Sequence, residues 1–162
     1  MPLVAVFHYL ALRAFAHETE DPARVKTALR FAAHDERVAL EETHVEGSHG
    51  NKIVILETEV KAAPAVKKLF GQLATDDPRG FEQLLRTWRE RVDDNLNFHL
   101  RLDKQDAARG RMALAQDDDA ITVRGKIRSF ETKRSGSDHA ASLRDLEAFF
   151  LGISPSERAV GQ

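Results

Sequence analysis

Hydrophobic and polar positions along this chain switch between two periods, and the switches mark its elements. Residues 3–17 are apolar on both alternating faces, with Phe7, Tyr9 and Phe15 on one and Val6, Leu10 and Leu12 on the other. That pattern predicts a central strand covered on both sides along at least part of its length. Val25, Ala28, Leu29 and Ala32 then recur at helical spacing behind Asp21-Pro22, a capping carboxylate followed by a first-turn proline. Residues 38–46 and 52–60 read as strands joined by Gly47-Ser48-His49-Gly50-Asn51, whose glycines and asparagine suit a hairpin loop. Two helical stripes follow, Val66-Leu69-Phe70-Leu73 and, behind Asp77-Pro78, Phe81-Leu84-Leu85-Trp88-Val92.

Strand periodicity returns at Phe98, Leu100 and Leu102, continues through a short strand, and is strongest after the acidic turn Asp117-Asp118-Asp119. Ile121, Val123 and Ile127 share one face; Thr122, Arg124, Lys126 and Arg128 share the other. Alternate residues of a strand lie about 6.6 Å apart on one face, so three cations stand in a row above an apolar underside. The polar stretch 131–138 predicts a linker. Leu143, Leu146, Phe149 and Phe150 predict a last amphipathic helix over 139–153, capped by Asp138, and residues 154–162 read as a frayed tail. Its paired phenylalanines could close over the core, dock on a second copy or bind another protein. The element order lacks βαβ alternation and predicts an α+β fold with a largely antiparallel sheet and helices packed on one face.

Composition narrows the function classes. The formal net charge is -2, so there is no global pull toward nucleic acid, and any such binding needs local segregation of charge. Between Asn97 and Arg134 there are 9 Lys and Arg against 6 Asp and Glu, three of the acids being in one turn. Cysteine is absent, which removes disulfides and thiolate metal sites and fits a reducing cytoplasm. The apolar N-terminus is interrupted by His8 and Arg13 and reads as neither a membrane span nor a signal peptide.

The segment RLDKQDAARG at 101–110, an acidic turn, and a strand of the form I-x-V-x-x-K-I form a composite pattern. With HETEDPARVKTAL at 17–29 and EGSHGNKIVILE at 46–57, it resembles the archaeal RNA-binding, exosome-subunit-like family over roughly residues 7–130. The resemblance implies a ribosomal-protein fold of the L-five-like type for residues 1–130. It also implies a non-catalytic RNA-binding role and a partner in RNA processing or degradation such as the exosome. Phosphate contacts are expected from Arg101, Lys104, Arg109, Arg111, Arg124, Lys126 and Arg128, with Gln105 reaching a sugar or base. His49, Asn51 and Lys52 in the hairpin loop are expected first to shape the turn and second to touch RNA. A stacking platform is not expected, because aromatics do not interleave with the ridge; only Phe130 shares its parity. Backbone recognition with little sequence selectivity follows.

Other chemistry finds less support. His17, His44 and His49 lack paired ligand spacing, so no metal and no cofactor is expected. His17, Glu18, Glu20 and Asp21 could supply acid and base, but helix capping explains them better and the chain is not read as an enzyme. The rival reading is a homodimeric or protein-interaction subunit without direct RNA binding.

Overall fold

The computed structural model describes residues 6–129, 131–132, 136–137 and 139–153. Its elements in chain order are β1 (Phe7–Ala16), α1 (Pro22–Ala33), β2 (Glu41–Glu46), β3 (Lys52–Val60), α2 (Ala63–Asp76) and α3 (Pro78–Thr87). A 3-10 turn (Trp88–Arg91), β4 (Asn97–Asp103), α4 (Lys104–Ala108), β5 (Ala120–Ile127), the two-residue strands β6 (Glu131–Thr132) and β7 (Gly136–Ser137), and α5 (His139–Leu151) follow. Five strands form one antiparallel sheet in the order β2-β3-β1-β5-β4. The fold is α+β, with helices packed on one face of the sheet.

Local chemistry starts the helices where the sequence places them. The Asp21 side chain accepts from the Ala23 N–H, and Asp77 accepts from the Gly80 N–H, each with proline in the first turn. Val25, Ala28 and Leu29 of α1, and Leu69, Phe70 and Leu73 of α2, are buried with Leu10, Leu12, Leu56, Leu100 and Val123 of the sheet. The last helix belongs to this core. Phe150 is buried, and its ring lies 5.2 Å from Phe70 and 5.3 Å from Phe98, while Phe149 meets Phe7 at 6.0 Å. Of the three fates open to the paired phenylalanines, closing over the core is the one adopted. Asp138, its expected cap, and Phe130 lie outside the described residues, as does the tail from residue 154.

Two expectations are corrected. First, β1 is covered on one face only: Leu10, Leu12, Ala14 and Ala16 are buried, while Arg13 and Phe15 are exposed and Tyr9 and Ala11 half-buried. A register shift between Phe7 and Tyr9 against β5 makes a bulge there. The bulge separates Phe7, which turns into the core, from Tyr9 and Phe15, which face outward. Gly125 permits this, because a Cβ there would lie 2.6 Å from the Phe7 ring and 2.8 Å from Leu10 Cδ2.

Second, the short strand before the acidic turn is a single bridge, Leu102 to Leu114. Two ladder bonds flank it, but the N–H groups of Met112 and Leu114 go to the carboxylates of Asp76 and Asp77 instead. Residues 104–108, to which the sequence pattern assigns no element, form a helix capped by Asp103, which accepts from the Asp106 N–H. This helix packs on α1. No described helix is long and apolar enough to cross a membrane.

Candidate nucleic-acid interface

With every described helix on one side, the other face of the sheet is uncovered among the described residues, and pairing register sets its side chains in rows. Tyr9, Lys126 and Asn97 form one row across β1, β5 and β4. The next holds Glu59, Ala11, Arg124 and His99; the one after it holds Glu41, Glu57, Arg13, Thr122 and Arg101. A further row holds Thr43, Ile55 and Phe15. The face therefore divides by charge: β1, β5 and β4 carry Arg13, Arg101, Arg124, Lys126 and His99, while β2 and β3 carry Glu41, Glu57 and Glu59.

The cations differ in how far they are neutralised. Arg124 and Arg128 are exposed and have no carboxylate within ion-pair distance among the described residues. Lys126 Nζ donates to the Asn95 carbonyl at 2.7 Å, which leaves its charge unopposed. Arg101 pairs with Asp118 at 2.9 Å and Arg13 with Glu57 at 3.6 Å, both in water, where such pairs contribute about 0–1 kcal/mol and exchange readily. The turn presenting the Asn95 carbonyl is organised by Asp93. Its Oδ1 accepts from the N–H groups of Asn95 and Asn97, and its Oδ2 lies 2.9 Å from His99 Nε2. The His99 contact and these backbone bonds hold its carboxyl down at about 2.

Lys104 is a correction to the expected phosphate contacts. Its side chain is only 3% exposed, and Nζ donates to the Phe15 carbonyl at 2.8 Å and to Glu20 at 2.9 Å, with Asp119 also paired to it. An ammonium held by two carboxylates and a carbonyl has no donor left for phosphate. The Gln105 amide nitrogen is committed to the same carboxylates, at 3.1 Å from Asp119 and 3.4 Å from Glu20. Burial pushes the Asp119 carboxyl up, but the hydrogen bonds from Lys104 and Gln105 outweigh it and leave the group below its ordinary value. His17, Glu20 and Asp119 bring ligand atoms within 4.8 Å of one another, as a metal site would, but the Lys104 charge already sits among them. His44 is elsewhere, beside Glu42 at 3.4 Å.

Other expected residues lie off the ridge. Arg111 pairs with Asp106 and donates to the Asp76 carbonyl at the end of α2, and Arg109 approaches Asp106 at 3.9 Å. His49, Asn51 and Lys52 are exposed in a hairpin closed by Gly47 N–H to Asn51 O at 2.7 Å, with Gly50 at φ +78°. Register puts Lys52 at the opposite corner of the sheet from Lys126, about 30 Å away at 3.4 Å per residue. Conversely, Tyr9, Arg13, Phe15 and His99 join the ridge, and the Arg13 guanidinium lies 5.8 Å from the Phe15 ring centre. Period-2 alternation in β1 contained that signal, but only the β1–β5 pairing brings those side chains beside Arg124 and Lys126.

The sequence model of a family described as RNA binding matches residues 9–127. The chain is similar to an RNA-binding protein of Pyrococcus abyssi, 33% identical over 78% of this chain and 86% of the relative. An uncharacterised protein of Methanocaldococcus jannaschii is 30% identical over 76% of this chain and 87% of its own length. Among solved structures, a DUF54 protein of Methanothermobacter thermautotrophicus superposes with TM-score 0.68 and 25% identity, covering 89% of this chain and 98% of that one.

Proposed function

The chain belongs to the RNA-binding family, and from that premise we propose that it is a non-catalytic RNA-binding protein that grips RNA backbone on the basic half of its open sheet face. The observation that carries the reading is Arg124, Lys126 and Arg128 standing outward on and just beyond one strand with no carboxylate paired to them among the described residues. Arg101, Arg13 and His99 flank them at neighbouring positions of the same surface. Lys104 and Gln105 act behind this surface by tying β1, α4 and the acidic turn together. In this reading residues 1–130 are the RNA-binding unit, and residues 139–153, with α5 at His139–Leu151, complete its core. The setting is cytoplasmic RNA processing or degradation, and the exosome is the assembly implied by the family resemblance.

Fluorescence anisotropy with a single-stranded RNA at several salt concentrations tests the grip. Three phosphates neutralised on a single strand give a log–log slope of about −2, from roughly −0.7 per phosphate. A salt-independent signal, or none, would refute it. A protein-interaction or homodimeric role is favoured by a different feature, the β2 edge. Every residue of that strand is exposed, and Val45 and Phe15 lie 38% and 39% open at its end of the sheet. A mass above that of the monomer in light scattering, lost on Val45→Lys, would support this second reading.

A further inference from the structure

The β2–β3 ladder ends at Glu41 and Glu57, and the chain before Glu41 is not paired. A hollow of about 380 Å³ opens there on the bare sheet face, within the roughly 300–1,000 Å³ range of ligand pockets. It extends from Arg124 on β5 across Ala11 to Glu57 and Glu59, and reaches Ala39 and Glu41 beyond them. The row that crosses it carries alanine where neighbouring rows carry Arg13 or Tyr9, so small side chains make the space. At its two ends are charges of opposite sign, Arg124 and Glu41, neither of which has an ion pair among the described residues. Their strands are three steps apart and their rows one step apart, about 14 Å across the strands and about 7 Å along them at the usual spacings, so they stand diagonally across a gap without closing it.

We propose that this hollow is a base subsite for guanine in single-stranded RNA; the inference rests on the RNA-binding reading and adds a sequence preference to it. Carboxylates on β2 and β3 repel phosphate but accept hydrogen bonds, so the acidic half of the face suits the donor edge of a base. Guanine alone among the four bases puts two adjacent donors, N1–H and N2–H₂, on one edge and two adjacent acceptors, O6 and N7, on the next. Arg124 matches the acceptors, in the pairing arginine makes most often with a base. Glu41 matches the donors, with Glu57 and Glu59 already drawn toward Arg13 and Lys61. Adenine would turn its N1 lone pair toward a carboxylate, and the pyrimidines offer one donor group each. Tyr9 stands two positions from Ala11 on the same face and can stack the adjoining base. The backbone thus runs along Arg124, Lys126 and Arg128, and one base leans across Ala11 toward Glu41.

Oligouridylates carrying a central guanosine, inosine, adenosine or uridine, titrated by anisotropy, test this. Guanosine should bind about tenfold more tightly than uridine, and inosine, which lacks the N2 amine, should lose most of that advantage. Ala11→Leu, which fills the hollow, and Glu41→Ala, on an exposed edge strand that tolerates it, should each bring the ratio of guanosine to uridine affinity, measured on the same variant, down to about one. Equal affinity for all four bases overturns the subsite and leaves the backbone grip standing. Absence of binding to any of them overturns both. A guanosine preference that survives Ala11→Leu and Glu41→Ala overturns the subsite as placed here.

Discussion

Two basic groups lie close together in the last third of the chain, and the fold uses them in opposite ways. Lys104, Arg109 and Arg111 belong to α4 and the segment after it, where each meets a carboxylate; Arg124, Lys126 and Arg128 belong to β5 and its end, where none does among the described residues. A count of positive residues cannot separate them. What separates them is whether the chain supplies a counter-charge before any ligand arrives. Lys104 and Arg111 of the first group fasten parts of the protein to one another, and the second group is the one proposed to meet an external anion.

The largest effect should come from removing the internal fastening. Lys104→Ala strands Glu20 and Asp119 beside each other and leaves the Phe15 carbonyl without its donor. Breaking a buried pair from one side costs about 3–5 kcal/mol, and the low end applies because both acids keep part of their surface in water. Urea unfolding should register about 3 kcal/mol, with any RNA affinity of the folded fraction little changed. Acid titration should agree in sign. Asp119 has a folded value below its ordinary one, so its contribution is complete above about pH 4 and disappears as pH falls through the lower folded value. If Lys104→Ala instead abolished RNA binding in a fully stable protein, the division between the two groups would be false.

Next in size is reversal of the open charges. Arg124→Glu with Lys126→Glu should weaken RNA binding roughly a hundredfold, about 2.7 kcal/mol, while the melting temperature stays within a few degrees, because Arg124 loses no ion pair and Lys126 only an exposed hydrogen bond to the Asn95 carbonyl. Circular dichroism and anisotropy on the same sample decide it. Equal binding before and after would move the interface elsewhere, for which the apolar end of β2 is the alternative.

Much of this contrast was legible in the residues, and the illegible part has a common cause. The alternation of Ile121, Val123 and Ile127 against Arg124, Lys126 and Arg128 fixes which side of β5 is wet. Asp21-Pro22 and Asp77-Pro78 mark their helix starts, because caps act within one turn. What escaped depended on distant partners. Lys104 is buried by an acid 84 residues earlier, so its local sequence reads like any surface lysine. The five residues of α4 contain too little of a helical period to be seen, although Asp103 before Asp106 is a capping signal. The hollow over Ala11 requires β1 to lie between β3 and β5, which no local pattern states.

A smaller effect tests how the ridge is held. Gly125 sits between Arg124 and Lys126 with its missing side chain toward Phe7 and Leu10. Gly125→Ala should cost about 1–2 kcal/mol by overpacking, because the Phe7 ring is itself enclosed by Phe70, Phe98 and Phe149. RNA affinity should fall only a fewfold, since both cations remain on the open side. A neutral result in thermal unfolding would mean that the β1 bulge can relax, and that Phe7 is less tightly committed to the core than its surroundings imply.

The smallest effect is the most discriminating, because it asks whether exposure alone is enough to recruit a cation. Arg109 has a side chain 67% exposed, more open than that of Arg101, and its approach to Asp106 at 3.9 Å is weak. By accessibility it should bind RNA as well as any residue of the ridge. By position it should not, since it follows α4, which packs on α1 in the helical layer, away from the row shared by Arg124 and His99. A phosphate backbone held on β5 would have to leave the sheet and turn around its end to reach it. Arg109→Ala should therefore change stability by less than about 0.5 kcal/mol and leave the salt slope of RNA binding unaltered, whereas loss of one phosphate contact would reduce it by about 0.7. A reduction of that size would place RNA across both basic groups, and the counter-charge within the protein would no longer be what decides which cations are used.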